Sequence, residues 1–314
     1  MLTCWSPKYD IPLIQKITAL GLDDPLAVEA RSLGRLKSRI QRQAKVIVPT
    51  AKILEDRCRQ SAISLRSIRR IPDGVDTTLF HPVAASHKME LRRRLQMPED
   101  KIVLLMVGGV TFRKGLDMLV HALNGLDAEI KRKTRLWVIG PTINQHTLEQ
   151  FDPEFFQYTQ HIKSLIQEFG LEDMVQFKGR KRNIDEYMQA ADVLVHPSRN
   201  EGQPSSLLEA MASGLPPLVN RLPGITDEIV QAGCYGYLVN CSDIPLFTAA
   251  LRVLINNKAL RERLGEKARR HVCAHYDLDV IARKYVALYS RVLDHEPCRY
   301  RKNIRSLKGQ PKNG

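Results

Sequence analysis

From residue 101 onward one pattern repeats: four to six largely apolar residues, then a segment with apolar side chains at three- and four-residue steps. Ile102–Val107, Arg135–Ile139, Val175–Lys178, Asp192–His196, Pro217–Asn220 and Gly236–Val239 read as strands. Leu116–Leu123, Phe155–Phe169, Ile184–Ala191, Ser206–Ser213 and Ile225–Ala232 read as the helices between them. A strand that is apolar throughout needs cover on both faces. A helix after each strand supplies that cover and carries the chain back to begin a parallel neighbour. The pattern therefore predicts an open parallel α/β sheet, closed by helices at about 243–256, 258–272 and 277–293.

The first seventy residues are organised differently. Residues 29–45 read as one helix, with Ala30, Leu33, Leu36, Ile40 and Ala44 as its stripe and Arg31, Arg35, Lys37, Arg39, Arg42 and Lys45 around it. Lys45–Val48 reads as a short buried strand closed by Pro49, and Ile53–Ala62 as another helix. Ile71-Pro-Asp-Gly-Val-Asp76 is turn chemistry and marks a boundary. The expected division is 1–74, 75–275, a terminal helix 276–296, and a disordered basic tail 297–314. No internal repeat is visible.

The net charge of +14 belongs to the ends of the chain. Residues 1–72 hold 14 Lys/Arg against 6 Asp/Glu, residues 297–314 hold six Lys/Arg and no acid, and the middle has 28 of each. A neutral body disfavours a nucleic-acid groove. Basic ends suit an anionic membrane surface, or solubility alone. No apolar run approaches the roughly 18 residues of a spanning helix. The N-terminus has no secretory pattern, and the six cysteines contain no CxxC pair. Neither a zinc site nor a disulfide framework is expected, and a cytoplasmic setting is.

Two loops can carry chemistry. Gly108-Gly-Val-Thr-Phe-Arg-Lys-Gly115 joins a buried strand to a helix. Gly108 and Gly109 allow a sharp turn and close approach of a ligand. Arg113 and Lys114 put positive charge at a helix start, where it opposes the dipole, so the arrangement makes sense opposite a phosphate. Neither a dinucleotide fingerprint nor a Walker loop is present. The second loop, His196-Pro-Ser-Arg-Asn-Glu-Gly-Gln-Pro-Ser-Ser-Leu-Leu-Glu209, leaves a strand end and enters a helix near Ser205. Ligands of open α/β sheets bind beyond such strand ends. Glu209, about one turn into the helix, could accept sugar hydroxyls. By itself it also reads as an acid favoured by the dipole, with Ser205 as a cap.

Glu201 and Glu209 are spaced as in the E-x7-E signature, and the chain resembles the family 4 glycosyltransferases, which retain anomeric configuration and have the GT-B fold. Ile71-Pro-Asp-Gly-Val-Asp-Thr-Thr-Leu-Phe-His-Pro82, Arg113-Lys-Gly115, Ala191-Asp-Val-Leu-Val-His-Pro-Ser198, Leu208-Glu-Ala-Met-Ala-Ser-Gly-Leu-Pro216 and Pro223-Gly-Ile-Thr-Asp-Glu-Ile-Val230 resemble that family's blocks, in its order, over roughly residues 40–290. The resemblance implies one complete Rossmann-like donor domain and a partial N-terminal Rossmann-like domain on the acceptor side. It implies a UDP- or GDP-sugar donor, a glycan or lipid-linked acceptor, no metal and no other cofactor. By analogy Lys114 meets the donor diphosphate with Arg113, Glu201 the transferred sugar, and Glu209 the ribose diol. The N–H groups of Ser205 and Ser206 would help hold phosphate or sugar, and helix-end amides would share the leaving-group charge.

Three positions depart from that pattern. Gly109 stands where many relatives have Arg, Pro204 where a Gly is common, and Gln203 where an aromatic or aliphatic residue is frequent. The N-terminal part is also short, without the acceptor-side Gly-rich loop or the usual histidine of that domain. The expectation is a chain truncated on the acceptor side. It would act as a cytoplasmic glycosyltransferase, peripheral at the inner face of the membrane, or as an inactive sugar-nucleotide-binding or scaffold protein.

Overall fold

The computed structural model describes residues 12–141 and 153–294. The tail 297–314, expected to be disordered, lies outside the described residues. β1 (Ile14–Ile17) and β2 (Val46–Pro49) belong to a small sheet, and six strands form the main one: β3 (Ile102–Val107), β4 (Thr134–Ile139), β5 (Val175–Gly179), β6 (Val193–His196), β7 (Pro217–Asn220) and β8 (Tyr237–Val239), in the order β5-β4-β3-β6-β7-β8. Every pairing is parallel, with Ile102 opposite Thr134 and Leu104 opposite Val193.

The two-residue period of a strand sorts the core into two layers. Leu104 and Met106 of β3, with Leu136 and Val138 of β4, face one layer containing Leu119, Ile162, Phe247 and Leu251. Those four belong to α5 (Leu116–Asn124), α7 (Pro153–Glu168) and α11 (Ile244–Asn256). Val103, Leu105, Trp137 and Ile139 face the other layer, with Met188, Leu208, Met211 and Val272. These come from α8 (Ile184–Ala190), α9 (Ser205–Ala212) and α12 (Lys258–His275). The chain winds outward from β3 through β4 to β5, then crosses back to β6 on the other side of β3. That reversal opens a crevice at the carboxyl ends of β3 and β6.

The smaller lobe is built on two parallel strands, β1 (Ile14–Ile17) and β2 (Val46–Pro49). One face packs on α3 (Lys52–Gln60) through Ile17, Ile47, Leu54 and Cys58. The other is covered by the returning helix α13 (Leu278–Asp294), where Val46, Val48 and Ile71 meet Ile281, Leu288 and Val292. The two crossings of the chain between lobes are tied together: Val75 N–H donates to Tyr276 O at 2.8 Å, and Leu278 N–H to Val75 O at 3.1 Å.

The helix expected over 29–45 begins only at residue 34, and a separate short helix before it was not expected. α1 (Pro25–Glu29) and α2 (Gly34–Gln41) are separated by a turn in which Leu33 has φ 58°. A Cβ on Gly34 would lie 2.0 Å from Glu29 O, so only glycine lets the chain fold back this tightly. The buried face of α2 is also not the expected stripe. Gly34, Ser38 and Gln41 point inward, while Leu33 and Leu36 are 68% and 55% exposed. The helix expected over 225–232 shortens to α10 (Thr226–Ile229), and that beginning at Ser206 starts at Ser205 with Pro204 before it. β1, α4 (Ala85–Leu95) and α6 (Ala128–Arg132) were not read from the sequence.

Asp192, at the start of β6, anchors α4 to the sheet. It accepts Lys88 Nζ at 2.8 Å, Arg92 Nη2 at 2.5 Å and the Val103 N–H at 2.8 Å. Burial by itself would raise the Asp192 pKa, and the two cations outweigh it and lower it. Arg92 is itself buried and also donates to Ala190 O and Lys101 O. Asp192→Ala strands a buried guanidinium and should cost about 3–5 kcal/mol in urea unfolding at pH 7. Since the Asp192 pKa is lowered on folding, the difference between variant and wild type should shrink as pH falls below the ordinary aspartate value of roughly 3.9. Equal midpoints at pH 7 would contradict this account.

Candidate active site

The two loops flagged in the sequence converge at the carboxyl ends of β3 and β6. After β3 the chain turns at Gly108, whose φ of 149° is open to glycine but not to a side chain. A Cβ there would sit 2.9 Å from Lys114 Cε, so the lysine stem lies directly across the bare backbone. Phe112–Lys114 form a single helical turn leading into α5. The Arg199 N–H donates to Arg113 O at 2.7 Å and joins this turn to the β6–α9 loop.

A second set of contacts fixes both loops. Arg199 grips Asp117 of α5 through two bonds, of 2.8 and 2.6 Å, and donates to Phe112 O at 2.8 Å. Its guanidinium lies 4.0 Å over the Phe112 ring. Tyr158 of α7 donates to Asp117 Oδ1 at 2.6 Å and accepts the Asp117 N–H at 3.1 Å. Planar bidentate pairs of this kind set orientation as well as energy.

Glu201 stands at the centre, 8% exposed. Its Oε1 accepts Lys114 Nζ at 2.6 Å and its Oε2 accepts Arg113 Nη1 at 2.8 Å. Arg113 Nη1 also donates to Asn200 O at 2.9 Å. His196 Nε2 lies 3.4 Å from Glu201 Oε1, close but not aligned as a hydrogen bond, and has no other partner among the described residues. Burial lowers the His196 pKa and keeps the ring neutral against the pull of Glu201. For Glu201, burial would raise the pKa. The Lys114 ammonium, hydrogen-bonded to it at 2.6 Å, outweighs this and holds the carboxyl well below the usual carboxylate range. With His196 neutral, the balance of fixed charge is Lys114 and Arg113 against Glu201, one positive charge in excess. A site of this charge is poised for an anion.

The remaining predicted residues make no hydrogen bond or ion pair with that cluster. Ser205 and Ser206 open α9, and no side chain caps the helix, so the first N–H groups are left without a capping partner. Glu209 is half-buried, one turn along, and its carboxylate has no ion pair or hydrogen bond among the described residues. Burial raises its pKa. Gly109 faces Pro141 and Phe155, and a Cβ there would be in ordinary contact at 3.9 and 4.0 Å. A β-carbon would therefore fit. Gln203 turns away from the crevice: its Oε1 accepts the Asp73 N–H at 2.7 Å and its Nε2 donates to Asp73 O at 3.3 Å. A Cβ on Gly202 would fall 1.6 Å from Thr18 O, so the end of β1 rests on the loop carrying Glu201.

Sequence reading missed His196, Asp117, Tyr158 and Arg199. His196 carried a signal, since it ends a buried strand directly before the loop. The Arg199–Asp117–Tyr158 set joins residues 41 and 82 positions apart and gives no local pattern. Among the described residues no group of three or more His, Cys, Asp or Glu side chains could hold a metal ion.

Comparison with known proteins places this geometry. Residues 87–271 match the family described as Glycosyl transferases group 1. The chain is 27% identical over 305 residues to the D-inositol 3-phosphate glycosyltransferase of Xylanimonas cellulosilytica, spanning 93% of this chain and 69% of the relative. It is 26% identical over 254 residues to the lipopolysaccharide glucosyltransferase WaaG of Escherichia coli, spanning 81% of this chain and 64% of the relative. Anabaena HepE in complex with UDP and glucose superposes with a TM-score of 0.78 at 20% identity, over 92% of this chain and 74% of that one. Sucrose-phosphate synthase from Thermosynechococcus elongatus superposes with a TM-score of 0.77 at 25% identity, over 93% and 71%. The fold is GT-B.

Replacing Glu201 tests how the crevice is held. Glu201→Gln leaves Lys114, only 13% exposed, opposite a neutral amide. It should lose about 1.5–3 kcal/mol of stability at pH 7. The Glu201 pKa is lowered on folding, so its contribution is present above the ordinary glutamate value of roughly 4.3 and lost as pH falls through the folded value. Urea midpoints of the two proteins should therefore converge in acid. A gap independent of pH would assign the loss to packing.

Proposed function

Because the chain belongs to the group 1 glycosyl transferases, we propose that it transfers a hexose from a UDP- or GDP-sugar to a hydroxyl of a glycan or lipid-linked acceptor. Anomeric configuration is retained and no metal is used. The observation that carries this reading is the cluster of Lys114, Arg113 and Glu201, with its surplus positive charge beside the uncapped α9 and the partnerless Glu209. A nucleoside diphosphate matches those elements group by group. Its phosphates replace Glu201 as the partner of Lys114 and Arg113 and receive the first N–H groups of α9. The ribose diol supplies the donors that the Glu209 carboxylate lacks. Glu201, released from its cations, turns to the hydroxyls of the transferred sugar.

Chemistry then requires charge to be met on the leaving diphosphate as the glycosidic bond breaks. Lys114, Arg113 and the helix-end amides are fixed in place before the reaction, which is where electrostatic stabilisation gains most. Attack from the leaving-group face lets a departing phosphate oxygen take the acceptor proton, so retention needs no covalent intermediate on the chain. The chain spans about two thirds of the length of the relatives it matches, and donor binding without transfer is the second reading.

The location proposed is cytoplasmic, peripheral at a membrane face. Leu22, Leu33 and Leu36 are 60%, 68% and 55% exposed, and Arg31, Arg35, Lys37 and Arg39 share their lobe surface. Apolar side chains ringed by cations are what an interfacial segment needs. No helix among the described residues is long and apolar enough to cross a membrane.

Calorimetric titration with UDP and GDP tests the donor site. Lys114→Ala should weaken binding by roughly 1.5–3 kcal/mol, and Glu209→Gln by less, because an amide oxygen still accepts one hydroxyl. Glu201→Gln should bind more tightly than wild type, since both cations start free, yet transfer less sugar. Wild-type affinity in all three variants would mean that the nucleotide sits elsewhere; tight binding with no transfer by the wild-type chain would select the second reading. In sedimentation with vesicles, the chain should bind anionic but not neutral lipid and be released at 1 M salt, where the Debye length is about 3 Å. Leu33→Gln with Leu36→Gln should abolish that binding. Indifference to anionic vesicles at low salt would remove the membrane from this account.

A further inference from the structure

Two neighbours compete for Glu201 Oε1. Lys114 Nζ holds it at 2.6 Å, and His196 Nε2 stands 3.4 Å away, off the line of a hydrogen bond. Oε2 belongs to Arg113 Nη1, at 2.8 Å. Among the described residues no other side chain donates to this carboxylate. The imidazole is 2% exposed, and its Nε2 has no hydrogen-bond partner among the described residues. Burying a polar atom without a partner is unfavourable, and an apolar ring of similar shape would avoid that cost. The ligand-free crevice alone therefore gives the histidine no use.

The ring is held in place by its backbone. His196 is the last residue of β6 and lies in register with Val219 of β7. Pro197 follows, and its carbonyl oxygen lies 2.3 Å from where a Cβ on Gly115 would be, so the start of α5 rests against it. Ser198 O accepts Asn220 Nδ2 at 3.0 Å. The strand end is thus braced from α5 and from β7, while Glu201 lies further along the loop. Of the two side chains, the carboxylate is the one free to move. Nε2 carries the ring proton, because a bare nitrogen there would set its lone pair against those of the carboxylate.

We propose, resting on the donor reading, that His196 positions Glu201 once a nucleoside diphosphate has taken Lys114 and Arg113. The carboxylate then loses both charge-assisted bonds, and the imidazole N–H is the side-chain donor still within reach. A movement of about half an ångström brings the pair into the ordinary N–H···O range. Oε1 settles on His196, and Oε2, given up by Arg113, is left to face the sugar hydroxyls. An unanchored glutamate would have to give up on the order of 1.5–2 kcal/mol of rotamer freedom to meet them. A carboxylate already pinned at one oxygen gives up less. A neutral donor suits this task, since an imidazolium would hold the carboxylate as firmly as Lys114 did. The ring touches no ligand and acts through Glu201, so it is a positioning residue.

The test is nuclear magnetic resonance on the full chain with isotope-labelled histidine, the His196 signal being assigned by its absence from His196→Gln. The free chain should show the neutral Nε2–H form. Saturation with UDP or GDP, whichever binds, should move that N–H proton downfield as the bond to Glu201 forms, and the shift should shrink in Glu201→Gln. Calorimetry gives a second readout. His196→Phe should bind the diphosphate roughly tenfold more weakly, about 1.4 kcal/mol, while His196→Gln, which keeps an N–H donor, stays within about threefold of wild type. The Phe variant also loses a buried unpartnered nitrogen, so its urea midpoint should equal or exceed that of wild type. A merely structural histidine would give neither the shift nor this opposition of binding and stability. If the diphosphate binds and leaves the N–H proton in place, or if both His196 variants lose affinity equally, the proposal is overturned and the donor reading stands. If neither UDP nor GDP binds the wild-type chain, the donor reading has failed and the proposal falls with it.

Discussion

The ion pair between Lys114 and Glu201 is the contact on which the crevice depends. It joins the loop after β3 to the loop after β6, the two strands flanking the point where the sheet reverses direction. Both groups are nearly buried, so each would be costly alone. Neighbouring features keep the pair in register. Gly108 gives the lysine stem a path with no side chain in it, Arg199 locks the two loops through Asp117 and Phe112 O, and Thr18 presses on Gly202 from the small lobe. Loosening any of these changes where the carboxylate sits. The smaller lobe, for all its brevity, is therefore part of the site's frame.

Much of this was legible in the sequence, and the reasons are physical. Strands of the main sheet are apolar on both faces and bounded by turns, so Ile102–Val107 and Pro217–Asn220 were read to the residue. Arg113 and Lys114 stood out because positive charge at a helix start opposes the dipole, and Glu201 because its spacing to Glu209 resembles the E-x7-E signature. β1 was not legible: Ile14-Gln-Lys-Ile17 is four residues with a polar centre, and it is a strand only because β2 and α13 shelter its neighbours. The break in 29–45 was hidden because periodicity says nothing about a chain folding back at Gly34. The inward face of α2, with Ser38 and Gln41, follows a tertiary demand: Gln41 Nε2 donates to Asp23 O at 3.2 Å and holds α2 to the preceding turn.

The long-range polar sets escaped for a different reason. Arg199, Asp117 and Tyr158 are each ordinary in their own segment, and only the packing of α7 against α5 makes them one unit. The same holds for Glu228, whose family-like block suggested nothing about its partners. In the structure it receives the first N–H of α3 and the Arg70 guanidinium, so one carboxylate from the large lobe caps a helix of the small one. Gly224 O accepts the Ile53 N–H at 3.1 Å beside it. The two lobes are thus joined by directional bonds at a helix end, and such bonds constrain rotation more than an apolar seam would.

These constraints bear on how a crevice built around an ion pair can also receive a ligand. Opening a buried pair into water would forfeit its Coulomb energy and leave two charges poorly solvated. In the proposed reading a diphosphate would avoid that state, because it would bring its own negative charge to Lys114 and Arg113 as Glu201 gave them up. The cations remain paired throughout, and the desolvation they have already undergone is not repeated. Glu201 must find new donors at the same moment, and sugar hydroxyls are suited to this because they bind a carboxylate without neutralising it. On the proposed donor reading, this geometry would couple recognition of the two halves of a sugar nucleotide. Phosphate alone leaves Glu201 short of donors, and sugar alone leaves the cations on Glu201. In the proposed reading a ligand carrying both would complete the exchange best, so the charge arrangement would favour an activated sugar over a free one.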